Sequence, residues 1–325
     1  MYYLNQTHLE SLGVDWEKVI DQVFIATKEL QAKNFEQPMK TYLRYGDPKN
    51  RIIAMPAFLG GAIHTSGIKW IASFPQNLEK GLNRASSVTI LNDADTGYPF
   101  CIINTATISV IRTASVTGMV LKKLILEQNK GGAIKKAGII GFGPIGQMHL
   151  AMLDYLFEKQ LEMVVICDVR PIDSNRLKHF AGTLENRVVV SRHWQDAYKN
   201  MDIVITCTNT VNRYIDLPPK NGSYQMNISL RDYKPQINEF IDFMIVDNWK
   251  EVCREDTDIE AMHKHSNLQK SNVHELPKLL FGDYPFPDSN HTVMFNPMGM
   301  SIYDIAMAKY YYELAKDRRI GMLLG

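Results

Sequence analysis

Two hydrophobic rhythms divide the chain. From Trp16 to Lys33 apolar residues recur at Trp16, Val19, Ile20, Val23 and Phe24. Thr27 occupies the next turn of that face and Leu30 follows, so the spacing predicts a helix. Short runs at Arg51–Pro56, Ser66–Ala72 and Ser87–Asn92 predict strands, and Asp95-Thr96-Gly97 predicts a hairpin turn into Tyr98–Asn104. Ser109 to Leu126 then predicts a second long helix. Beyond Gly131-Gly132 and Lys135-Lys136, which mark a domain boundary, apolar strands alternate with helical stretches. The strands are Ala137–Gly141, Met163–Asp168, Arg187–Ser191, Asp202–Thr208, Tyr224–Ser229 and Phe243–Asp247, and Pro144–Phe157 is the first of the intervening helices. Such alternation implies an α/β fold with a parallel sheet covered on both faces. The last helix, Ile302–Lys316, follows a Pro-Met-Gly turn and is expected to return to the first domain. The expected organisation is therefore residues 1–130 with 298–325, and 131–297 between them.

Composition narrows the class. With 325 residues, 45% hydrophobic and 22% charged, the chain is long enough for two globular domains. A net charge of +1 gives no global attraction to nucleic acid or to an acidic membrane. No apolar run approaches a membrane span, and Met1 to Asp15 lacks a signal pattern. Cys101, Cys167, Cys207 and Cys253 stand far apart, without zinc-like spacing, and read as reduced thiols of a cytoplasmic protein. No metal site is expected.

The chemistry begins at Gly141-Phe142-Gly143-Pro144-Ile145-Gly146, a G-x-G-x-x-G that follows an apolar strand and opens a helix. Gly141 permits the tight turn, Gly143 a close backbone approach to a pyrophosphate, and Gly146 close packing of helix on strand. The helix N-terminus turns its partial positive charge toward the phosphates, and Pro144 suits a first turn where no N–H is needed. Asp168 ends the second strand at the spacing of the acid that accepts ribose hydroxyls. A carboxylate there repels a 2′-phosphate and favours NAD, whereas Arg170 nearby could attract one. Thr208 and Asn209 end the fourth strand, at the edge of such a cofactor cleft. Six strands suit a complete Rossmann domain.

The chain resembles the ornithine cyclodeaminase/mu-crystallin family along nearly its whole length. The resemblance is carried by Gly67-Ile68-Lys69-Trp70, Asp95-Thr96-Gly97-Tyr98-Pro99 and Ile111-Arg112-Thr113-Ala114-Ser115. It continues through Gly141 to Gly146 and Asn296-Pro297-Met298-Gly299-Met300. It implies a discontinuous α/β first domain that binds substrate and forms a homodimer, a substrate cleft between domains, and Arg112 and Met298 beside the cofactor. Further stretches are similar to the siderophore-pathway branch that releases 2,3-diaminopropionate from an N-substituted glutamate. They are Lys40 to Arg44, Arg51 to Pro56, Arg84-Ala85-Ser86, Asn227-Ile228-Ser229 and Phe295 to Met300. Arg84 stands where cyclodeaminases usually carry Thr.

Four cations, Arg44, Lys69, Arg84 and Arg112, fall at strand ends, helix starts or within a strand of the first domain, and Arg suits bidentate carboxylate binding. A single exposed Arg is equally a solvated side chain. Lys69 interrupts the apolar Ile68-Lys69-Trp70-Ile71, so it must be paired or face a cleft. The resemblance implies that Lys69 and Arg112 face the substrate carboxylate and the nicotinamide. It also places Asp232 at the catalytic Asp position, although Ser229-Leu230-Arg231 stands where the family carries a Gly-rich run. An Asp at such a place can take a proton from amine or water, or cap an Asx-turn. His149 and His274 read as packing residues, and His263 and His265 as exposed.

The resemblance implies hydride transfer from the glutamate Cα, followed by Asp232-assisted addition of water to the imine. The expected products are 2,3-diaminopropionate and 2-oxoglutarate, from a small anionic amino-acid substrate. An ornithine cyclodeaminase or another amino-acid or ketimine oxidoreductase is the alternative within enzymes, which the cationic Arg84 disfavours for a cationic ornithine tail. A mu-crystallin-like ligand-binding protein is the alternative outside them, and four cations disfavour its apolar pocket.

Overall fold

The computed structural model describes residues 1–47, 49–128, 134–282 and 284–325. Gly131-Gly132, at the expected boundary, lie outside the described residues. The chain forms two compact units, Met1–Val116 with Met300–Gly325, and Thr117–Gly299. The first division therefore falls inside the helix Thr107–Leu121, which continues as a π-helical turn over Lys122–Leu126.

The first unit is built on an eight-stranded sheet. Its centre is an antiparallel meander of Arg51–Leu59, Thr65–Ser73, Ala85–Asp93 and Pro99–Asn104. The hairpin turn forms because Asp93 Oδ1 accepts from the backbone and hydroxyl of Thr96, and Gly97 takes a φ of +73°, open to glycine. Tyr2–Asn5, absent from the sequence expectations, adds in parallel to Pro99–Asn104. One face of the sheet is covered by Ser301–Asp317, which packs on the three strands from Arg51 to Asp93 and on the helix Trp16–Gln31. Of the stripe read from Trp16 onward this helix buries Val19, Ile20, Val23, Thr27 and Leu30, with Ala26 beside them, while Trp16 and Phe24 are half-buried. Asp15 caps its N-terminus, accepting from Lys18 N at 3.2 Å.

The second unit carries an all-parallel sheet of eight strands, not six. The order is Val188–Ser191, Met163–Cys167, Lys136–Ile140, Ile203–Thr206, Tyr224–Asn227, Val293–Asn296, Phe243–Val246 and Val273–Glu275. The order reverses at Lys136–Ile140, the topological switch point at which such sheets bind ligands beyond their carboxyl ends. The unpredicted strand Val293–Asn296 inserts between the fifth and sixth. All four of its residues are buried, but a four-residue run beside Pro297 leaves no periodicity to read. No described helix is long and apolar enough to cross a membrane.

Candidate active site

In the first unit the site is a buried ionic cluster. Lys69 is only 2% exposed, and its Nζ donates to Asp304 Oδ2 at 2.7 Å. Arg112 Nε donates to Asp304 Oδ1 at 3.1 Å, and Ser109 Oγ to the same oxygen at 2.9 Å. The alternation of the strand turns Lys69 to the covered face, and the first helical turns of Ser301–Asp317 bring Asp304 onto it. Gly67, two residues earlier on this strand, is closely enclosed. A Cβ there would stand 2.4 Å from Ile90 O and 3.0 Å from Ile305 Cδ1.

Burial pushes the Lys69 ammonium down to about 8. Asp304 opposes that shift, while Arg112 and Lys40 add to it. Burial alone would raise the Asp304 carboxyl, but Arg112 and Lys69 outweigh it and hold it below its usual range. Two cations against one anion leave an excess positive charge beside a buried lysine. Such a cluster gains little stability over apolar packing. The unbalanced charge has the sign to pair with a carboxylate, and perturbed, desolvated lysines are enriched at functional sites. Of the four cations singled out, Lys69 and Arg112 are brought together by Asp304. Arg44 lies apart, its Cζ 4.7 Å from the centre of the Tyr42 ring, and Arg84 donates weakly to Ser73 Oγ at 3.4 Å.

Asp304 escaped the sequence reading. An acid in the first turn of a helix is ordinarily a favourable partner of the helix dipole, which conceals it. The readable signal was an Asp inside Ile302-Tyr303-Asp304-Ile305-Ala306-Met307, the same interruption that betrayed Lys69.

In the second unit the glycine loop has the geometry of a dinucleotide site. Gly141 has a φ of +97°, and a Cβ there would meet Cys207 O at 2.6 Å. A Cβ on Gly146 would meet Gly141 O at 2.0 Å, so helix Pro144–Phe157 rests directly on the turn. Gly143 caps that helix without a side-chain hydrogen bond, and its missing Cβ would meet nothing within 4 Å. The first-turn N–H groups near Pro144 and Ile145 therefore border open space that an anionic phosphate fits. Asp168, directly after Cys167, accepts from Phe142 N at 2.7 Å and from Arg170 N at 2.8 Å. These bonds tie the acid to the loop. Met298 is partly buried against the core of this unit. His149 is a packing residue, bonded to Thr117 Oγ1 and Ile145 O, and burial pushes it down to about 4.

Asp232 is fully buried, and burial pushes its carboxyl up to about 6, with neighbouring Asp258 adding to the rise. Thr208 Oγ1 donates to its Oδ1 and Ser229 Oγ to its Oδ2. Thr208 thus links the end of the fourth strand to Asp232. The loop is held by Asp258, whose Oδ2 accepts from Asp232 N at 3.0 Å, Tyr233 N at 3.1 Å and Asn227 Nδ2 at 3.0 Å. Arg213 Nε donates to the other oxygen at 2.8 Å. Leu230 takes a left-handed φ of +61°. Asn227 Oδ1 accepts its N–H, Asp258 N donates to its carbonyl, and its side chain is buried. Those contacts offset a backbone cost of about 1–2 kcal/mol. Asp258 was also missed, because it follows the cap Thr257 and reads as an ordinary helix start. No group of three or more possible metal-ligating side chains occurs among the described residues.

One unit with a parallel doubly wound sheet and a glycine loop, and another bearing a buried Lys–Asp–Arg cluster, define a two-unit protein of the dinucleotide-binding class. The profile of the ornithine cyclodeaminase/mu-crystallin family matches residues 7–216, and the chain belongs to that family. It is 34% identical to N-((2S)-2-amino-2-carboxyethyl)-L-glutamate dehydrogenase of Staphylococcus aureus, across 100% of this chain and 98% of that protein. A Delta(1)-pyrroline-2-carboxylate reductase of Bacillus cereus is 23% identical, with 95% of each chain covered. Among solved structures, the Thermococcus litoralis Delta(1)-pyrroline-2-carboxylate reductase, in complex with NADH and L-proline, superposes with a TM-score of 0.87 at 23% identity, covering 100% of each chain. An archaeal alanine dehydrogenase dimer with bound NAD gives 0.84 at 24% identity, covering 100% of this chain and 99% of that one.

Proposed function

We propose that the chain is an NAD-dependent dehydrogenase that oxidises and hydrolyses N-((2S)-2-amino-2-carboxyethyl)-L-glutamate to 2,3-diaminopropionate and 2-oxoglutarate. The observation that carries the reading is the buried Lys69–Asp304–Arg112 cluster with its excess positive charge, in a chain similar end to end to the staphylococcal dehydrogenase. Gly141, Gly143 and Gly146 with the N-terminus of helix Pro144–Phe157 would hold the pyrophosphate, Asp168 the adenosine ribose, and Thr208 and Met298 would border the nicotinamide end. When bound, NAD accepts a hydride from the glutamate Cα.

Lys69 and Arg112 bind the α-carboxylate and so fix the direction of the Cα–H bond. Loss of the hydride leaves the C–N bond as an iminium whose nitrogen keeps its proton. Asp232, ionised above about 6, takes a proton from water as the water oxygen adds to the imine carbon. Asp232 gives that proton to the carbinolamine nitrogen and takes up the hydroxyl proton as the C–N bond breaks, releasing the 2-oxo acid and the diamine. One water is consumed, and the hydride leaves with NAD. The enzyme is further proposed to act as a homodimer through its first unit.

Incubation with NAD or NADP and a panel of amino acids, following nicotinamide absorbance and identifying products by mass spectrometry, tests the reading. NADH with 2-oxoglutarate and 2,3-diaminopropionate is expected from the carboxyethyl-glutamate alone. Turnover of ornithine to proline instead would overturn it, and a preference for NADP would remove the role given to Asp168.

A further inference from the structure

We infer that Tyr214 is a positioning residue for the proposed base, its buried hydroxyl being a donor held ready for the Asp232 carboxylate. This role deepens the proposed reaction and rests on it for the work that Asp232 performs. Tyr214 follows the strand Ile203–Thr206 in the second unit. Its N–H and that of Ile215 both donate to the Asp232 carbonyl, at 2.9 and 2.8 Å, and Ile215 bridges Tyr233 in parallel. Backbone pairing thus registers the residue that carries the phenol against the one that carries the carboxyl. The ring is pinned as well. Trp194 meets it edge-on at 5.4 Å, and it rests against the buried core of the unit.

Two neighbouring tyrosines show what burial of a phenol normally requires. Tyr198, which meets the same Trp194 ring at 5.5 Å, donates to Leu217 O at 2.9 Å. Tyr233 donates to Gln225 Oε1 at 3.0 Å. The Tyr214 hydroxyl is buried too, yet makes no hydrogen bond of normal geometry. A buried donor without a partner is costly, and packing alone would be served as well by phenylalanine. The group it faces is the Asp232 carboxyl, whose charged form it favours. Burial, with the Asp232 charge next, pushes the phenol far above its usual range, so it keeps its proton and meets a carboxylate as a donor.

A carboxylate offers about four acceptor sites. Thr208 takes one on Oδ1 and Ser229 one on Oδ2, which leaves room for a third donor. The other groups about Asp232 do not fill it. Asp258, from the helix Asp258–His265, raises the Asp232 carboxyl, and Arg213 is engaged by Asp256 and Asp258. Burial holds the Cys207 thiol and the Tyr233 phenol neutral. The Thr206 hydroxyl favours the charged form but donates to Asn227 Oδ1 at 3.3 Å. Tyr214 is therefore a donor whose satisfaction depends on Asp232 being ionised, the state in which Asp232 is a base.

The test follows the Asp232 carboxyl itself, by NMR titration of the full chain labelled with carbon-13 at the aspartate Cγ. The signal is assigned by its loss in Asp232→Asn. Tyr214→Phe keeps the ring and removes the hydroxyl. The acid dissociation constant of Asp232 is expected to fall about tenfold, moving its midpoint upward from about 6. The acid limb of kcat/KM should move with it. The melting temperature should hold or rise, because an unsatisfied buried group is gone. Tyr198→Phe, which breaks a formed hydrogen bond, should lower the melting temperature and leave the Asp232 midpoint in place. An unchanged midpoint in Tyr214→Phe overturns the role, and so does an equal shift in Tyr198→Phe. A lower melting temperature in Tyr214→Phe also overturns it, since the hydroxyl would then have a structural bond. If the midpoint moves in Tyr214→Phe alone but the wild type does not oxidise the carboxyethyl-glutamate with NAD, the proposed reaction fails while the link from Tyr214 to Asp232 stands.

Discussion

At the scale of single residues, two buried ionisable groups set the expected pH behaviour. Asp232 must be ionised to act as a base, and burial places that ionisation at about 6. Lys69 must be protonated to hold a carboxylate, and burial places its loss of charge at about 8. Activity should therefore rise with pH through about 6 and fall through about 8, giving a bell-shaped kcat/KM. Asp304→Asn tests the assignment of the alkaline limb. Removing the carboxylate removes the largest influence that favours the charged lysine, so the alkaline limb should move to lower pH. The broken pair should also cost about 3–5 kcal/mol in stability. Asp304→Glu is expected to restore part of both. A stability loss with the alkaline limb unmoved would show that Asp304 only braces the fold. Lys69 was legible because a charge inside an apolar strand has few explanations. Asp304 was not, because its position at a helix start supplied an innocent one.

At the scale of elements, the sequence carried those parts whose chemistry is local. The glycine loop and its helix could be read because two of its glycines answer a steric demand visible in the structure: a positive φ at Gly141 and the carbonyl contact at Gly146. The Asp232 loop was less readable. Its geometry depends on Asp258 and Asn227, distant in sequence, which let Leu230 occupy a backbone region that glycine normally fills. The strand Val293–Asn296 was illegible for a related reason, since its place in the sheet is fixed by neighbours on both sides and not by its own pattern. The same long-range dependence governs Gly67, whose bare backbone admits the Ile90 carbonyl of the neighbouring strand and the tip of Ile305. Gly67→Ala should press on the Ile90 carbonyl and on Ile305 and cost about 1–3 kcal/mol, while lowering kcat/KM at every pH. Thermal melting beside kinetics measures both. A variant with unchanged melting and turnover would show that helix and sheet tolerate the methyl group.

At the scale of the whole molecule, the question is what covers the other face of the first sheet. Side chains alternate, so the residues that do not face Ser301–Asp317 form rows across the strands. One row runs through Pro56, Ile68, Ile90 and Ile102, which are cross-strand neighbours in that order and all apolar. The next runs through Ala54, Trp70 and Val88, with Trp70 44% exposed. A hollow of about 350 Å³, lined in part by Pro56, Phe58, Ser66 and Ile68, opens on the same face. An apolar sheet face of this breadth is unusual on a free surface and suits a self-complementary contact. The family resemblance points to a second copy of this chain as the occupant. Ile90→Lys places a charge in the middle of the central row. In a homodimer through this face it should shift the species seen by light scattering at micromolar concentration from dimer to monomer. In a protein that leaves the face to solvent it should change stability by no more than about 0.5 kcal/mol and leave the mass as it was. A wild type of monomer mass would reject the dimer outright, and a dimer that survives Ile90→Lys would move the interface to another surface.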